Sequence, residues 1–319
     1  MTRRPPASLS LDLDNLWAYQ KIHGDAGWES FPTYVPTLAP ILVERLRRHG
    51  LTLTIFVVGQ DAARDENRAA LRALADEGHE IGNHSFSHEP WFHEYARPEV
   101  EREIGAAEEA IAAATGKRPR GFRGPGFSLS RDTLHVLAAR GYLYDASTFP
   151  TFLGPIARAY YFWKSRDMPA AEKAKRKKLY GTLGEGLRPI KPYLWRGDGL
   201  VEIPVTTMPI ARVPMHMSYV LYLALRSVGV AMAYLRTALA LCRARGVQPS
   251  FLLHPLDFLG GDLVRGLDFF PGMTASTEFK LALFDRIVEA ISAFFEPVNM
   301  EQHARSLLAS GRLPTREHE

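Results

Sequence analysis

The chain contains one cysteine, Cys242, in 319 residues. That excludes an internal disulfide framework, and nothing in the sequence demands an oxidising compartment. Long hydrophobic runs are also missing. No stretch of about eighteen uncharged apolar residues is present, so no spanning helix is expected. An excess of one charge sign is also lacking: 39 Lys and Arg stand against 35 Asp and Glu, a net +4 with pI near 9.1. That excess is too mild to imply a nucleic-acid partner. The opening Met1-Thr2-Arg3-Arg4-Pro5-Pro6 has charge but no apolar core behind it, so no secretory signal is expected and the protein is placed in the cytoplasm. There is no internal repeat and no low-complexity segment. What is present is 46% hydrophobic and 23% charged residues, the balance of a globular chain long enough for one large α/β barrel or two small domains.

Short apolar runs alternate with helical patterns, which is the signal of a parallel α/β fold. Strands are expected at 8–12, 51–58, 79–83, 120–123, 142–145, 200–205 and in 246–254 after a turn. The run Leu51-Thr52-Leu53-Thr54-Ile55-Phe56-Val57-Val58 is β-branched or apolar on both faces, as a buried parallel strand requires. Helices are expected at 36–49, 64–77, 98–115, 130–140 and 274–295, with Ser276 as an N-cap and Asn299 capping a last short helix. A polar, aromatic loop carries Trp17, Tyr19 and Trp28. Seven βα units predict a single domain over 1–319, interrupted by an insertion at 151–199 and followed by an apolar helical segment at 215–245.

The stretch Gly78-His79-Glu80-Ile81-Gly82-Asn83-His84-Ser85-Phe86-Ser87-His88 ends in two histidines four positions apart, a common metal-ligand spacing. Asn83 and Ser85 are placed to hydrogen-bond the second ring nitrogens, which a metal-bound imidazole needs. In a parallel barrel the reactive groups gather where strands end. The strand-end residues here are Asp12 and Asp14, Gly59-Gln60-Asp61, His84 and His88, Arg123, Asp145 and His254. Random placement would scatter these groups over both rims. Taken singly, each has a plain structural reading: the acids as caps, Arg123 as a salt-bridge arginine, His254 as a strand-end histidine. His79, His135 and His303 read as structural or surface, and His93 and His216 lie near the mouth.

Five ordered segments resemble motifs of the polysaccharide deacetylases, the NodB-homology or carbohydrate esterase four family. They are Leu9-Ser10-Leu11-Asp12-Leu13-Asp14, His84-Ser85-Phe86-Ser87-His88, Arg123-Gly124-Pro125-Gly126-Phe127, Tyr144-Asp145-Ala146-Ser147-Thr148-Phe149-Pro150 and Leu252-Leu253-His254. The resemblance spans 8–150 and resumes at 200–260. It implies an irregular (β/α)7 barrel, from which the long basic insertion at 151–199 is this chain's departure. It further implies that Asp14, His84 and His88 hold a divalent metal, zinc first, with cobalt, manganese or nickel as alternatives. Asp12 would be the general base, oriented by Arg123, and His254 the acid that protonates the leaving amine, paired with Asp145. One departure is that Leu13 separates two acids that are usually adjacent. Residues i and i+2 of a strand share a face, so both still reach one site. That variant, with Val58-Gly59-Gln60-Asp61, resembles the branch holding lipid-linked aminoarabinose deformylases.

The expected function is a metal-dependent amidohydrolase that removes an N-acetyl group from an amino sugar, polysaccharide or lipid-linked. The alternatives are a deformylase or other C–N hydrolase, and a catalytically silent metal-holding barrel that binds glycan or lipid. A non-haem iron oxygenase shares the two-histidine, one-carboxylate set but has no use for Arg123 and the acid–histidine pair. The insertion holds Tyr160-Tyr161-Phe162-Trp163-Lys164, then Lys173-Ala174-Lys175-Arg176-Lys177-Lys178-Leu179-Tyr180, and later Arg188, Lys191, Tyr193, Trp195 and Arg196. Interleaved rings and cations suit an anionic membrane surface at the inner leaflet, and the apolar 215–225 stretch adds to that hint. A solvated basic helix is the plain alternative.

Overall fold

Strand β1 (Pro6–Asp12) is central to the computed structural model, which describes residues 4–154 and 183–318. Its side chains divide by the two-residue period of a strand. Ala7, Leu9, Leu11 and Leu13 join the main apolar cluster with Leu38, Leu42, Leu235, Phe284 and Ile287. Ser8, Ser10 and Asp12 instead meet His303 and Arg123 on the other face. One face of β1 is therefore core and the other leads to Asp14 through polar contacts.

Around it run β2 (Thr54–Val57), β3 (Glu80–Asn83), β4 (Gly121–Phe122) and β5 (Tyr144–Asp145), all parallel. Beyond β5 come β7 (Val201–Glu202) in parallel and β6 (Tyr193–Trp195), which is antiparallel to β7. On the other side β1 pairs with β8 (Ser250–Leu253) and with β9 (Glu296–Val298), and β10 (Thr315–Arg316) adds to β6. The ladder order is β10-β6-β7-β5-β4-β3-β2-β1-β8. Its two sides meet where Thr206 N–H donates to the Ser250 carbonyl at 3.0 Å and Ser250 N–H donates to the Thr206 hydroxyl at 2.7 Å. The result is the expected irregular barrel. Because Asp12 pairs with Phe56, Val57 with Asn83, Asn83 with Phe122 and Phe122 with Asp145, the strand ends share one rim.

Helices α1 (Leu16–His23), α2 (Val35–His49), α3 (Gly59–Ala62), α4 (Asp65–Asp76), α5 (Arg97–Thr115) and α6 (Arg131–Ala139) follow the first four strands. Then come α7 (Met217–Ala224), α8 (Val228–Arg245), α9 (Thr277–Phe294) and α10 (Met300–Ser310). Ser276 and Asn299 cap α9 and α10 as expected, each side chain accepting a backbone N–H of the first turn. Where a loop was expected around Trp17 and Tyr19, α1 forms. Asn15 accepts from Leu16 N–H, and Trp17 and Ala18 are buried.

Two membrane hints change meaning. The apolar 215–225 stretch packs on the barrel through Met217, Val220, Leu221 and Ala224, so that face of it is core, while Tyr222 and Leu225 stay exposed. Tyr193 and Trp195, counted among the interfacial rings, are buried in β6. The aromatic run at 160–164 and the basic run at 173–180 lie outside the described residues.

Candidate metal centre and active site

The loop after β3 is held in a shape its sequence would not adopt unaided. Ser85 and His88 both take left-handed backbone angles, at φ 60° and 53°. Each costs a non-glycine residue roughly 1–2 kcal/mol. The cost is offset locally. Asn83 Oδ1 accepts from Ser85 N–H at 2.9 Å, and Ser85 Oγ accepts from His88 N–H at 3.2 Å. From α5, the Glu103 carboxylate accepts from Phe86 N–H at 3.1 Å, Ser87 N–H at 2.9 Å and the Ser87 hydroxyl at 2.7 Å. Asn83 and Ser85 thus brace the loop backbone and do not bind the imidazoles, contrary to expectation.

The ring nitrogen partner of His84 comes from elsewhere. Its Nδ1 lies 2.6 Å from the Arg123 carbonyl, which fixes the tautomer that leaves Nε2 as a ligand. His84 Nε2 is 3.4 Å and His88 Nε2 is 2.9 Å from Asp14 Oδ1. The three ligand atoms lie within 4.8 Å of one another, so one ion with bonds of about 2.0–2.2 Å can meet all three. The residues fit a divalent metal. Burial alone would raise the Asp14 pKa, but the His88 charge and the hydrogen bonds to both histidines hold it well below the usual range. Burial pulls His84 down, yet the Asp14 hydrogen bond and the Asp12 and Asp14 charges leave it raised overall.

Beside this cluster sits Asp12, 4% exposed, on the fully buried Arg123. Arg123 Nη1 donates to Asp12 Oδ1 at 2.6 Å and to Ser10 Oγ at 2.9 Å, while Nε donates to the Ala146 carbonyl at 3.0 Å. The guanidinium carbon lies 4.5 Å from the centre of the Phe56 ring. Gly124, next in sequence, has no room for a side chain: a Cβ there would lie 1.9 Å from the Ser128 carbonyl oxygen. The expected Asp12–Arg123 pairing is present.

The pairing of His254 with Asp145 is not. The carboxylate facing His254 is Asp257, whose Oδ2 lies 3.9 Å from the His254 Nδ1 and accepts from its backbone N–H at 2.7 Å. Ser218 Oγ lies 3.2 Å from the same Nδ1. The preceding sequence, Leu252-Leu253-His254-Pro255-Leu256-Asp257, places an acid three residues on, where a one-turn helix returns it to His254. Asp145 instead accepts from the Ser147 hydroxyl at 2.7 Å and Ser147 N–H at 3.0 Å. It adjoins Glu202, which accepts from Thr148 and the Trp195 indole. Burial, first, and their mutual proximity keep the Glu202 pKa far above its usual range; burial raises Asp145 also. Ser147 Oγ accepts from Gly124 N–H at 2.8 Å, so Asp145 stiffens the turn that supplies the Ala146 carbonyl to Arg123.

Sequence reasoning missed Asp257, Glu103 and Tyr19. The Tyr19 hydroxyl is buried and has no hydrogen-bond partner among the described residues. Burial, then the charges of Asp14, Asp257 and Asp12, push its pKa well above the ordinary value, so a protonated phenol faces the site's carboxylates. It was passed over because the segment read as loop. His216, noted near the mouth, has its ring 6.3 Å from that of His254, and burial pulls its pKa down to about 3. His93 is engaged with Ser128 Oγ at 2.7 Å. Asp61 is buried under Asn15 and Trp17, which donate to Oδ1 at 2.7 and 2.8 Å.

Residues 24–144 match the polysaccharide deacetylase family. Over 103 residues the chain is 34% identical to a chitooligosaccharide deacetylase of Azorhizobium caulinodans, covering 32% of this chain and 48% of that protein. Over 86 residues it is 31% identical to a peptidoglycan-N-acetylglucosamine deacetylase of Bacillus cereus, covering 27% of this chain and 30% of that protein. The chain thus matches half or less of the length of these curated relatives. A solved Mycobacterium smegmatis structure assigned to the polysaccharide deacetylases superposes with a TM-score of 0.59 at 19% identity, over 98% of this chain and 93% of that one. That likeness extends the barrel fold over nearly the whole chain. Asp12, Asp14, Asp145 and His254 fall outside the 24–144 match and are placed by geometry alone. Residues 24–144 thus match a polysaccharide deacetylase domain, within a chain that has the irregular barrel fold of that solved neighbour.

Proposed function

We propose that the protein is a metal-dependent amidohydrolase that releases acetate from an N-acetylated amino sugar in a glycan or oligosaccharide. The observation that carries this reading is the buried Asp12–Arg123 pair beside the Asp14–His84–His88 cluster, an arrangement for hydrolysis that a binding-only barrel does not need. The relatives named for chitooligosaccharide and peptidoglycan deacetylation support the substrate class.

A divalent metal held by Asp14, His84 and His88, zinc first, would polarise the acyl oxygen and lower the pKa of the attacking water. Asp12 takes the proton of that water as the O–C bond forms. Arg123 anchors Oδ1 of Asp12, which fixes the carboxylate and leaves its other oxygen for the proton. His254 delivers a proton to the departing nitrogen as the C–N bond breaks, because an amide anion is a very poor leaving group. Ser218 and Asp257 hold the Nδ1 side of that ring and keep Nε2 for substrate. The products are acetate and the free amino sugar.

The test is acetate and formate release from N-acetyl and N-formyl amino-sugar oligomers and lipid-linked sugars by zinc-loaded protein. Acetate release lost in Asp12→Asn supports the reading, and formate release alone transfers it to a deformylase. No release of either, from protein that binds metal, overturns it in favour of a silent glycan-binding barrel. A cytoplasmic location with reversible contact to the anionic inner leaflet belongs to the same proposal. It is carried by the basic run at 173–178 and tested by liposome binding.

A further inference from the structure

A second cluster of ligand-type side chains lies away from the strand-end rim. His135 projects from α6, Asp198 from the turn between β6 and β7, and His318 from just beyond β10. Their ligand atoms lie within 4.8 Å of one another. His318 Nε2 is 2.6 Å from Asp198 Oδ2, and His135 Nε2 is 3.9 Å from Asp198 Oδ1. The two imidazoles meet edge to face at 5.3 Å, and the His318 ring stacks flat on the Trp195 indole at 5.1 Å.

The plain reading is a histidine–aspartate ion pair. One observation counts against it. Asp198 Oδ2 and both ring nitrogens of His318 are buried, yet none has a hydrogen-bond partner among the described residues, although two of these atoms approach within 2.6 Å. The His318 side chain is 9% exposed and that of Asp198 11%. Buried polar atoms are almost always partnered, and an exception at a convergence of donors points to an ion. A cation in the plane of the rings would satisfy the carboxylate and imidazoles together.

We infer that His135, Asp198 and His318 form a second metal site, for a first-row divalent transition ion with zinc foremost, that fastens residues 311–318 to the barrel. Two imidazoles and one carboxylate suit such an ion and leave a position for water. The location gives the ion structural work. β10 is two residues long and exposed, and among the described residues it pairs with β6 alone. Just beyond it, Glu317 makes a surface ion pair with Arg196. An ion bonded to α6, to the β6–β7 turn and to the segment after β10 cross-links three parts of the chain that otherwise meet at an edge.

Chelator-stripped full-length protein titrated with zinc in a calorimeter tests this. The wild type is expected to take up two equivalents, Asp198→Ala/His318→Ala one, and His84→Ala/His88→Ala one. His135→Ala, at a half-exposed helix position, should weaken the second equivalent without disturbing β10. Hydrogen exchange supplies a second readout. Zinc should slow exchange over 193–198 and 311–318 in the wild type and in His84→Ala/His88→Ala, and leave it unchanged in Asp198→Ala/His318→Ala. Acetate release should be the same with or without the latter pair of substitutions. A single wild-type equivalent that Asp198→Ala/His318→Ala removes keeps this inference and refutes the rim site. Uptake that is insensitive to Asp198→Ala/His318→Ala, with no zinc-dependent exchange over 311–318, overturns the inference.

Discussion

Replacing Glu103 with alanine should weaken metal binding even though Glu103 touches no ligand side chain. Its carboxylate accepts three hydrogen bonds from Phe86 and Ser87, the residues between the two loop histidines. Hydrogen bonds to a charged group contribute about 1.5–3 kcal/mol when buried, and half-buried ones are nearer 1 kcal/mol each. The set therefore supplies about 3 kcal/mol of loop ordering. That is similar to the roughly 2–4 kcal/mol needed to keep Ser85 and His88 in left-handed conformations. Without Glu103 the two terms no longer balance, and the loop relaxes toward ordinary backbone angles. His88 then leaves its place beside Asp14, and divalent-metal affinity should fall about 10–100-fold, as for other groups that orient ligands. Glu103→Gln keeps one acceptor oxygen and should fall between. The assay is competition for zinc against a chromogenic chelator, with hydrogen exchange over 84–88 as the structural readout. Glu103→Ala that binds zinc within about twofold of the wild type, with exchange over the loop unchanged, would refute the reasoning.

Asp12→Asn should retain metal and slow turnover by about two to four orders of magnitude, whereas His84→Ala or His88→Ala should lose metal and activity together. Loss of metal in Asp12→Asn with retention in Asp14→Asn would reverse the two carboxylate roles. Asp257→Asn should slow acetate release with little change in metal uptake, since the carboxylate that accepts from the His254 backbone N–H at 2.7 Å and faces its Nδ1 at 3.9 Å is lost. Burial raises the Asp61 carboxyl from its ordinary 3.8 to about 7, so the native state holds its proton over a range where the unfolded chain has lost it. Its contribution is fully present below about pH 4 and is lost as pH rises through 7, at most about 4 kcal/mol; Asp61→Asn should flatten that part of the stability profile in denaturant titrations. Changing Lys173, Lys175, Arg176, Lys177 and Lys178 to glutamine should abolish low-salt co-sedimentation with anionic liposomes while leaving hydrolysis of a soluble N-acyl sugar intact. Failure of the unmutated protein to co-sediment removes the membrane proposal.

How much of this was legible in the sequence depended on whether a signal was local. Asp12 and Asp14 declare a shared face by the strand period, His84 and His88 declare a common target by spacing, and Arg123 declares itself by ending a strand at the same rim. Each needs only knowledge of one element and of where parallel strands end. Errors arose where one residue had to choose among distant partners. Asp145 and Asp257 are both acids within reach of the rim by sequence alone. The choice between them is made by the one-turn helix that folds Asp257 back on His254, and by Glu202, which arrives from β7 to occupy Asp145. Glu103 was invisible for the same reason: its partners are backbone N–H groups of a loop sixteen and seventeen residues earlier, and no side-chain pattern marks an acceptor of that kind. Tyr19 was lost to a secondary-structure error, since a residue read as loop has no predicted direction. Asn15 caps α1 while also bonding Asp61, and that capped helix carries the phenol toward Asp14 and Asp257. The proposed ligands and base are thus written in spacing, while the groups that aim them are written in tertiary contacts. Substitutions at the aiming positions should therefore act on metal affinity and turnover before they act on the fold.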